Sequence, residues 1–169
     1  LRLGEKVTKI DPVEHRVQLS DGEVLAYDRL LLATGGRSFI PPFKGVDLQG
    51  VFALRTLDNA SKIKQYAQRA RAVALIGGGL LGLETAAALL APGRRVSVIE
   101  IAPHLLPRQL DATGARVLQT RLEAMGLRFY TGAMTESVLG DGRATGVQLQ
   151  EGRTVDGELV VLSTGIRSR

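Results

Sequence analysis

The sequence contains no cysteine, which excludes a disulfide framework, a thiolate nucleophile, a CxxC redox pair and any cysteine-ligated metal within the chain. Histidine is scarce too: His15 and His104 are the only two, too few to suggest a zinc site. Aromatic residues make up only 4%. No apolar run approaches the roughly 20 residues that cross a bilayer, and no basic, apolar, small-residue series of a secretory signal opens the chain. No membrane partner is expected, and the compartment expected is cytoplasmic. The formal charge of +5 is carried mostly by arginine, a balance that raises nucleic acid as a partner. The basic residues are scattered from Arg2 to Arg169 with no cluster interleaved with aromatics. A solvated, arginine-rich surface explains them better, so no nucleic acid is expected. The chain opens on Leu1 rather than methionine and stops at Arg169 just after a predicted strand, so it reads as a piece of something longer.

What is present is the composition of a soluble globular chain: 169 residues, 44% hydrophobic and 23% charged, enough to bury a core and about one domain long. Its most informative stretch is 71–100. Ala72 to Ile76 is an uncharged apolar run, the pattern of a strand buried on both faces. It ends in Gly77-Gly78-Gly79, and from Leu80 the pattern turns helical until Pro92-Gly93 stops it. A β-branched run, Val96 to Ile99, then closes on Glu100. Strand, glycine turn, helix, strand and acid make a βαβ unit with a dinucleotide fingerprint. Gly77 permits the tight turn. Gly79 lets the main chain approach a pyrophosphate at the helix N-terminus, and Gly82 lets the helix lie close on the strand. Glu100 falls where an acid reaches the adenosine ribose hydroxyls, roughly 20 residues after the turn. A purely structural glycine turn is the alternative, and the full context favours the nucleotide.

The rest of the chain is placed around this unit. Residues 1–30 read as antiparallel β around the turn signals Asp11-Pro12 and Ser20-Asp21-Gly22. Leu30-Leu31-Leu32-Ala33 reads as a short buried run. Pro41-Pro42 and Gly45 mark a connector, and a domain boundary is expected after residue 43. A helix is predicted from Thr56, with Ile63, Tyr66 and Ala67 at helical spacing. The loop 101–109, holding His104, falls near a bound nucleotide. Asp111 can cap a helix ending near Gly126. Residues 127–130 form the next strand, three short β segments follow, and 158–162 is a buried strand ending on Ser163-Thr164-Gly165.

In this order the motifs resemble the flavin-dependent pyridine nucleotide–disulfide oxidoreductase superfamily. Val7 to Asp11 and Leu25 to Gly35 look like the end of that family's FAD domain before it crosses over. Arg55 to Leu162 looks like its NAD domain, and Thr164-Gly165 like the return crossing. Among members, the sequence looks most like the large subunits of NADH-dependent nitrite reductases, with rubredoxin reductases, ferredoxin reductases and NADH oxidases close behind. The family's FAD glycine motif and its late Gly-Asp motif are not in this sequence, relatives often carry proline where this chain has Ser168, and any siroheme or iron–sulfur ligands would lie elsewhere. The missing CxxC argues against the small thioredoxin-reductase type. The resemblance implies that NADH docks here and passes hydride to FAD, with electrons leaving to an acceptor elsewhere. It also implies that Glu84 sits near the nicotinamide and that the backbone at Thr164-Gly165 lines its pocket; Thr34 and Gly35 resemble FAD-domain backbone contacts.

The expected architecture is an α/β, Rossmann-like parallel sheet with helices on both faces and an antiparallel β meander, preceded by an N-terminal β-hairpin remnant of a FAD domain in residues 1–43. Residues 44–169 would be the NAD(H)-binding domain. Its candidate cofactor-binding residues are Gly77, Gly78, Gly79, Leu80, Leu81, Gly82, Glu84, Glu100, Thr164 and Gly165; no catalytic or metal-binding residue is assigned. The expected partners are NADH, the rest of the FAD domain and an electron acceptor, and the chain alone is expected to be inactive. A non-catalytic NAD-sensing module is the alternative. A flavin-free dehydrogenase ranks third, because no catalytic Tyr/Lys or His pair follows the fingerprint.

Overall fold

Residues 1–168 are described by the computed structural model, in which the chain divides into two units, Leu1–Gly35 and Gly36 onward. In the first, β1 (Val7–Asp11), β2 (Arg16–Leu19) and β3 (Val24–Ala26) form an antiparallel sheet in that order, one strand more than the expected hairpin. Side chains build its turns. Asp11 Oδ1 accepts from the Val13 and Glu14 N–H groups at 3.1 and 3.0 Å, the Asx pattern. The Glu14 N–H above all holds the Asp11 carboxyl below its usual range. Leu30, Leu31 and Leu32, expected as a buried run, lie outside any strand and are exposed, Leu31 at 88%. An apolar run goes inside only where another surface covers it, and the 35 residues of this unit present none.

The second unit runs β4 (Gly36–Ser38), β5 (Val51–Ala53), α1 (Leu57–Ala67), β6 (Ala72–Ile76), α2 (Leu80–Ala88), β7 (Arg95–Glu100), α3 (Ala112–Ala124), β8 (Leu127–Thr131), β9 (Thr135–Asp141), β10 (Arg143–Leu149), β11 (Thr154–Asp156), β12 (Leu159–Leu162) and β13 (Ile166–Ser168). Five strands form a parallel sheet ordered β5-β12-β6-β7-β8, and β9, β10 and β11 form the antiparallel meander. Strand β4, which the expected boundary after residue 43 assigns to the first segment, pairs antiparallel with β13 inside the second unit.

Handedness decides what covers each face. The steps from β5 to β6, β7 and β8 all move the same way across the sheet, so right-handed crossovers put α1, α2 and α3 on one face. There Val73, Leu75, Val98 and Val161 pack against Ile63, Leu83 and Ala86. The connection from β8 back to β12 runs the other way and must cover the opposite face. It is the meander: Ala74, Ile99 and Val160 pack against Val138, Val147 and Leu149. The second layer, expected to be helical as well, is therefore β. Strands β6 and β12 are buried at every residue, as the uncharged apolar runs predict.

Helix starts follow the sequence signals. Thr56 and Asn59 form a reciprocal capping box on α1, and Asp111 accepts from the Gly114 N–H at 2.7 Å to cap α3. Helix α2 differs, since its N-cap is Gly79 and no side chain caps it. No described helix is long and apolar enough to cross a membrane.

Candidate functional site

The ends of β6, β7 and β12 bring the predicted residues together. At Gly77 the backbone takes φ +113°, a region that favours glycine, and a β-carbon there would lie 2.4 Å from the Ser163 carbonyl oxygen. At Gly82 a β-carbon would lie 2.0 Å from the Gly77 carbonyl oxygen. Both glycines are thus demanded by the packing of strand, turn and helix. Gly79 is not: its φ is −74°, and a β-carbon there meets nothing within 4 Å. The fold leaves Gly79 a clear approach to its backbone at the start of a helix whose N-terminal N–H groups have no side-chain cap. Free N–H groups and the positive end of the helix dipole are the features that favour an anion at a helix N-terminus.

Glu100, at the end of β7, faces the same turn. Its Oε2 accepts from the Gly78 N–H at 2.6 Å and its Oε1 from the Ala102 N–H at 2.7 Å. An ionised carboxylate has about four acceptor positions, so two remain for other donors. On the other side, the Ser163 N–H donates to the Ile76 carbonyl at 2.9 Å and holds the end of β12 against the start of the turn. Thr164 follows, its hydroxyl donating to the Phe39 carbonyl at 2.6 Å, and Gly165 is exposed at φ +102°. Leu80, Leu81 and Glu84 are exposed on α2. His104 is half-buried in the loop after Glu100, its Nδ1 3.1 Å from the Leu105 carbonyl oxygen. Among the described residues no cluster of three or more His, Asp or Glu side chains can hold a metal ion.

Three contributions escape a reading of the sequence. Leu105 is fully buried although it lies in a loop, and it packs against Gly78. Ser163 supplies the carbonyl that forbids a side chain at 77. Arg94, just before β7, donates to the carbonyls of Ala70 at 3.1 Å, Leu89 at 2.8 Å and Ala67, and so ties the ends of α1 and α2 at the far end of the sheet. None of these has a local motif. For Arg94 the one general signal available is the preference of cations for helix C-termini.

The family model for pyridine nucleotide-disulphide oxidoreductases matches residues 1–169. Among curated proteins, the Bacillus subtilis nitrite reductase described as NAD(P)H-dependent is 42% identical over 168 residues, which cover 99% of this chain and 21% of that protein. The nitrite reductase (NADH) large subunit of Escherichia coli is 39% identical over 170 residues, covering 99% of this chain and 20% of that protein. Among solved structures, the ferredoxin reductase for the CYP199A2 system from Rhodopseudomonas palustris superposes with a TM-score of 0.87 at 32% identity, over 97% of this chain and 41% of that one. The chain spans about a fifth of the length of these two curated relatives.

Proposed function

The chain belongs to the pyridine nucleotide-disulphide oxidoreductase family, and we propose that it is the NAD(H)-binding module of a flavin-dependent NADH oxidoreductase. The observation that carries this reading is Gly79: the one fingerprint glycine that the fold itself does not need stands in open space at an uncapped helix N-terminus. A pyrophosphate fits there as a counter-charge to the free N–H groups of the first turn of α2. The two acceptor positions left on Glu100 suit the two hydroxyls of the adenosine ribose. Thr164, its hydroxyl hydrogen bonded to the Phe39 carbonyl, lines the remaining wall with backbone and an acceptor oxygen.

With nucleotide and flavin both bound, the chemistry supplied is hydride transfer from nicotinamide to flavin. The part of this chain is to orient the nicotinamide and keep water out, a task that requires no acid or base from it. Glu84, on the exposed side of α2, is proposed to sit near the nicotinamide. Residues 1–43 are read as a segment of the FAD domain, with Thr34 and Gly35 among its backbone contacts. The acceptor is proposed to lie in other parts of a longer protein, with nitrite as the candidate, because two relatives are named nitrite reductases.

Backbone NMR during NADH titration tests the reading. Amide shifts are expected at 77–82, Ala102 and 163–165, with saturation by NADH at a concentration at least about tenfold below that for NADPH. That ratio corresponds to about 1.4 kcal/mol, modest for a carboxylate facing a 2′-phosphate. Saturable shifts confined to other parts of the chain would overturn the site, and equal affinity for NADPH would overturn the role of Glu100.

A further inference from the structure

Leu105 shows no accessible surface, although 101–109 contains neither helix nor strand. Its neighbour Leu106 is only 9% exposed. The backbone between them and Gln109 is bent, with Leu106 at φ +50°. That left-handed conformation is unfavourable for leucine, so the loop carries a strained residue next to Leu105. The place is specific. A β-carbon built on Gly78 would lie 3.1 Å from Leu105 Cδ2, 3.0 Å from Glu100 Cβ and 3.2 Å from Glu100 Oε2. The α-carbon of Gly78 thus sits in a crevice between the leucine and the glutamate. Its N–H makes the 2.6 Å hydrogen bond to Glu100, whose other oxygen is held by Ala102 at the start of the same loop.

We propose that Leu105 is a positioning residue for cofactor selection: by packing against Gly78 it keeps the Gly78 N–H on the Glu100 carboxylate, which then accepts the ribose hydroxyls of NADH and repels the 2′-phosphate of NADPH. The proposal rests on the reading of 77–82 and Glu100 as the nucleotide site. Leu105 touches no ligand in this account; it acts through Gly78. Shortening its side chain leaves a gap beside Gly78, the turn relaxes into it, and the carboxylate loses its fixed direction. NADH then loses a well-placed acceptor, while NADPH loses an opponent. A leucine that merely supported the fold would weaken both nucleotides in equal proportion.

The experiment titrates NADH and NADPH separately against wild type, Leu105→Val, Leu105→Met and Gly78→Ala, each checked by circular dichroism. Wild type is expected to prefer NADH at least about tenfold. Leu105→Val should bring the ratio below about threefold, mainly through weaker NADH binding, and Leu105→Met, which restores the reach of the side chain, should recover most of the preference. Gly78→Ala approaches the contact from the other side, since its methyl group must displace Leu105 or Glu100, and it too should narrow the ratio; this variant decides the matter should Leu105→Val not fold. An unchanged ratio in folded Leu105→Val or Gly78→Ala would overturn the role of Leu105 and leave the nucleotide site standing. Wild type that binds neither nucleotide would overturn the site, and this proposal with it.

Discussion

At the scale of single residues, the three fingerprint glycines serve different masters. Substituting Gly77 or Gly82 drives a β-carbon to 2.4 or 2.0 Å from a backbone carbonyl, so such variants report on folding. Gly79 separates binding from folding. Its φ of −74° and ψ of 175° are open to valine, and nothing in the protein lies within 4 Å of the added β-carbon. Valine is a poorer N-cap than glycine, but with no side-chain cap to lose the effect on stability is below about 1 kcal/mol. The isopropyl group instead fills the approach to the first N–H groups of α2. Displacing a pyrophosphate from even one charge-assisted hydrogen bond removes about 1.5–3 kcal/mol, or more than about tenfold in affinity. Gly79→Val is therefore expected to keep its circular dichroism spectrum and lose NADH affinity by at least that factor. A titration showing wild-type affinity in the folded variant would move the nucleotide elsewhere.

At the scale of elements, legibility tracked whether the deciding signal was local. The βαβ unit, the helix start at Thr56, the Asp111 cap and the meander between β8 and β12 could all be read, because apolar periodicity, capping side chains and glycine turns act within a few residues. Strand β5 is only three residues long and went unread, since it is held by pairing with β12 more than 100 residues later. The face covered by the meander follows from strand order, which no window of sequence contains. Leu30 to Leu32 misled because hydrophobicity records a tendency to be covered, not the presence of a cover. Within the candidate site, the turn glycines Gly77 and Gly82 and the place of Glu100 beside the turn were legible by spacing; Leu105 was not, because its contact with Gly78 joins residues 27 positions apart. Arg94 is the element-scale counterpart. Its guanidinium donates to carbonyls at the ends of two helices. Arg94→Met keeps the apolar stem and strips the donors, so it should cost about 2–4 kcal/mol in urea denaturation, one or two charged hydrogen bonds' worth. Arg94 precedes β7 and Glu100 ends it, some six residues or about 20 Å away. NADH affinity of the folded variant is expected to be unchanged; a stability loss below about 0.5 kcal/mol would remove Arg94 from this role.

At the scale of the whole molecule, the two units differ in how much they bury. Between Leu1 and Gly35 only Val17 and Leu19 are buried apolar side chains, while nine large ones are exposed, Leu31 and Leu32 among them. Fully burying one such side chain is worth about 1.5–3 kcal/mol, whereas ordering each residue costs about 1–2 kcal/mol in backbone entropy. A 35-residue unit with two buried apolar side chains falls far short on that comparison, and domains below about 40 residues seldom stand without a staple or a partner. The second unit has two packed cores, one on each face of a sheet whose central strands are buried throughout. Hydrogen exchange should divide the chain accordingly. Amides of β6, β7 and β12 are expected to exchange only through global opening and to slow further with NADH, which adds RT ln(1 + [NADH]/Kd) to the stability of the unit that binds it. Amides of β1, β2 and β3 should exchange at least about a hundredfold faster, with no response to NADH. Protection of the first sheet equal to that of β6 would show that it is stabilised by more than its own core, and the assignment of this segment as part of a larger FAD domain would lose its physical support.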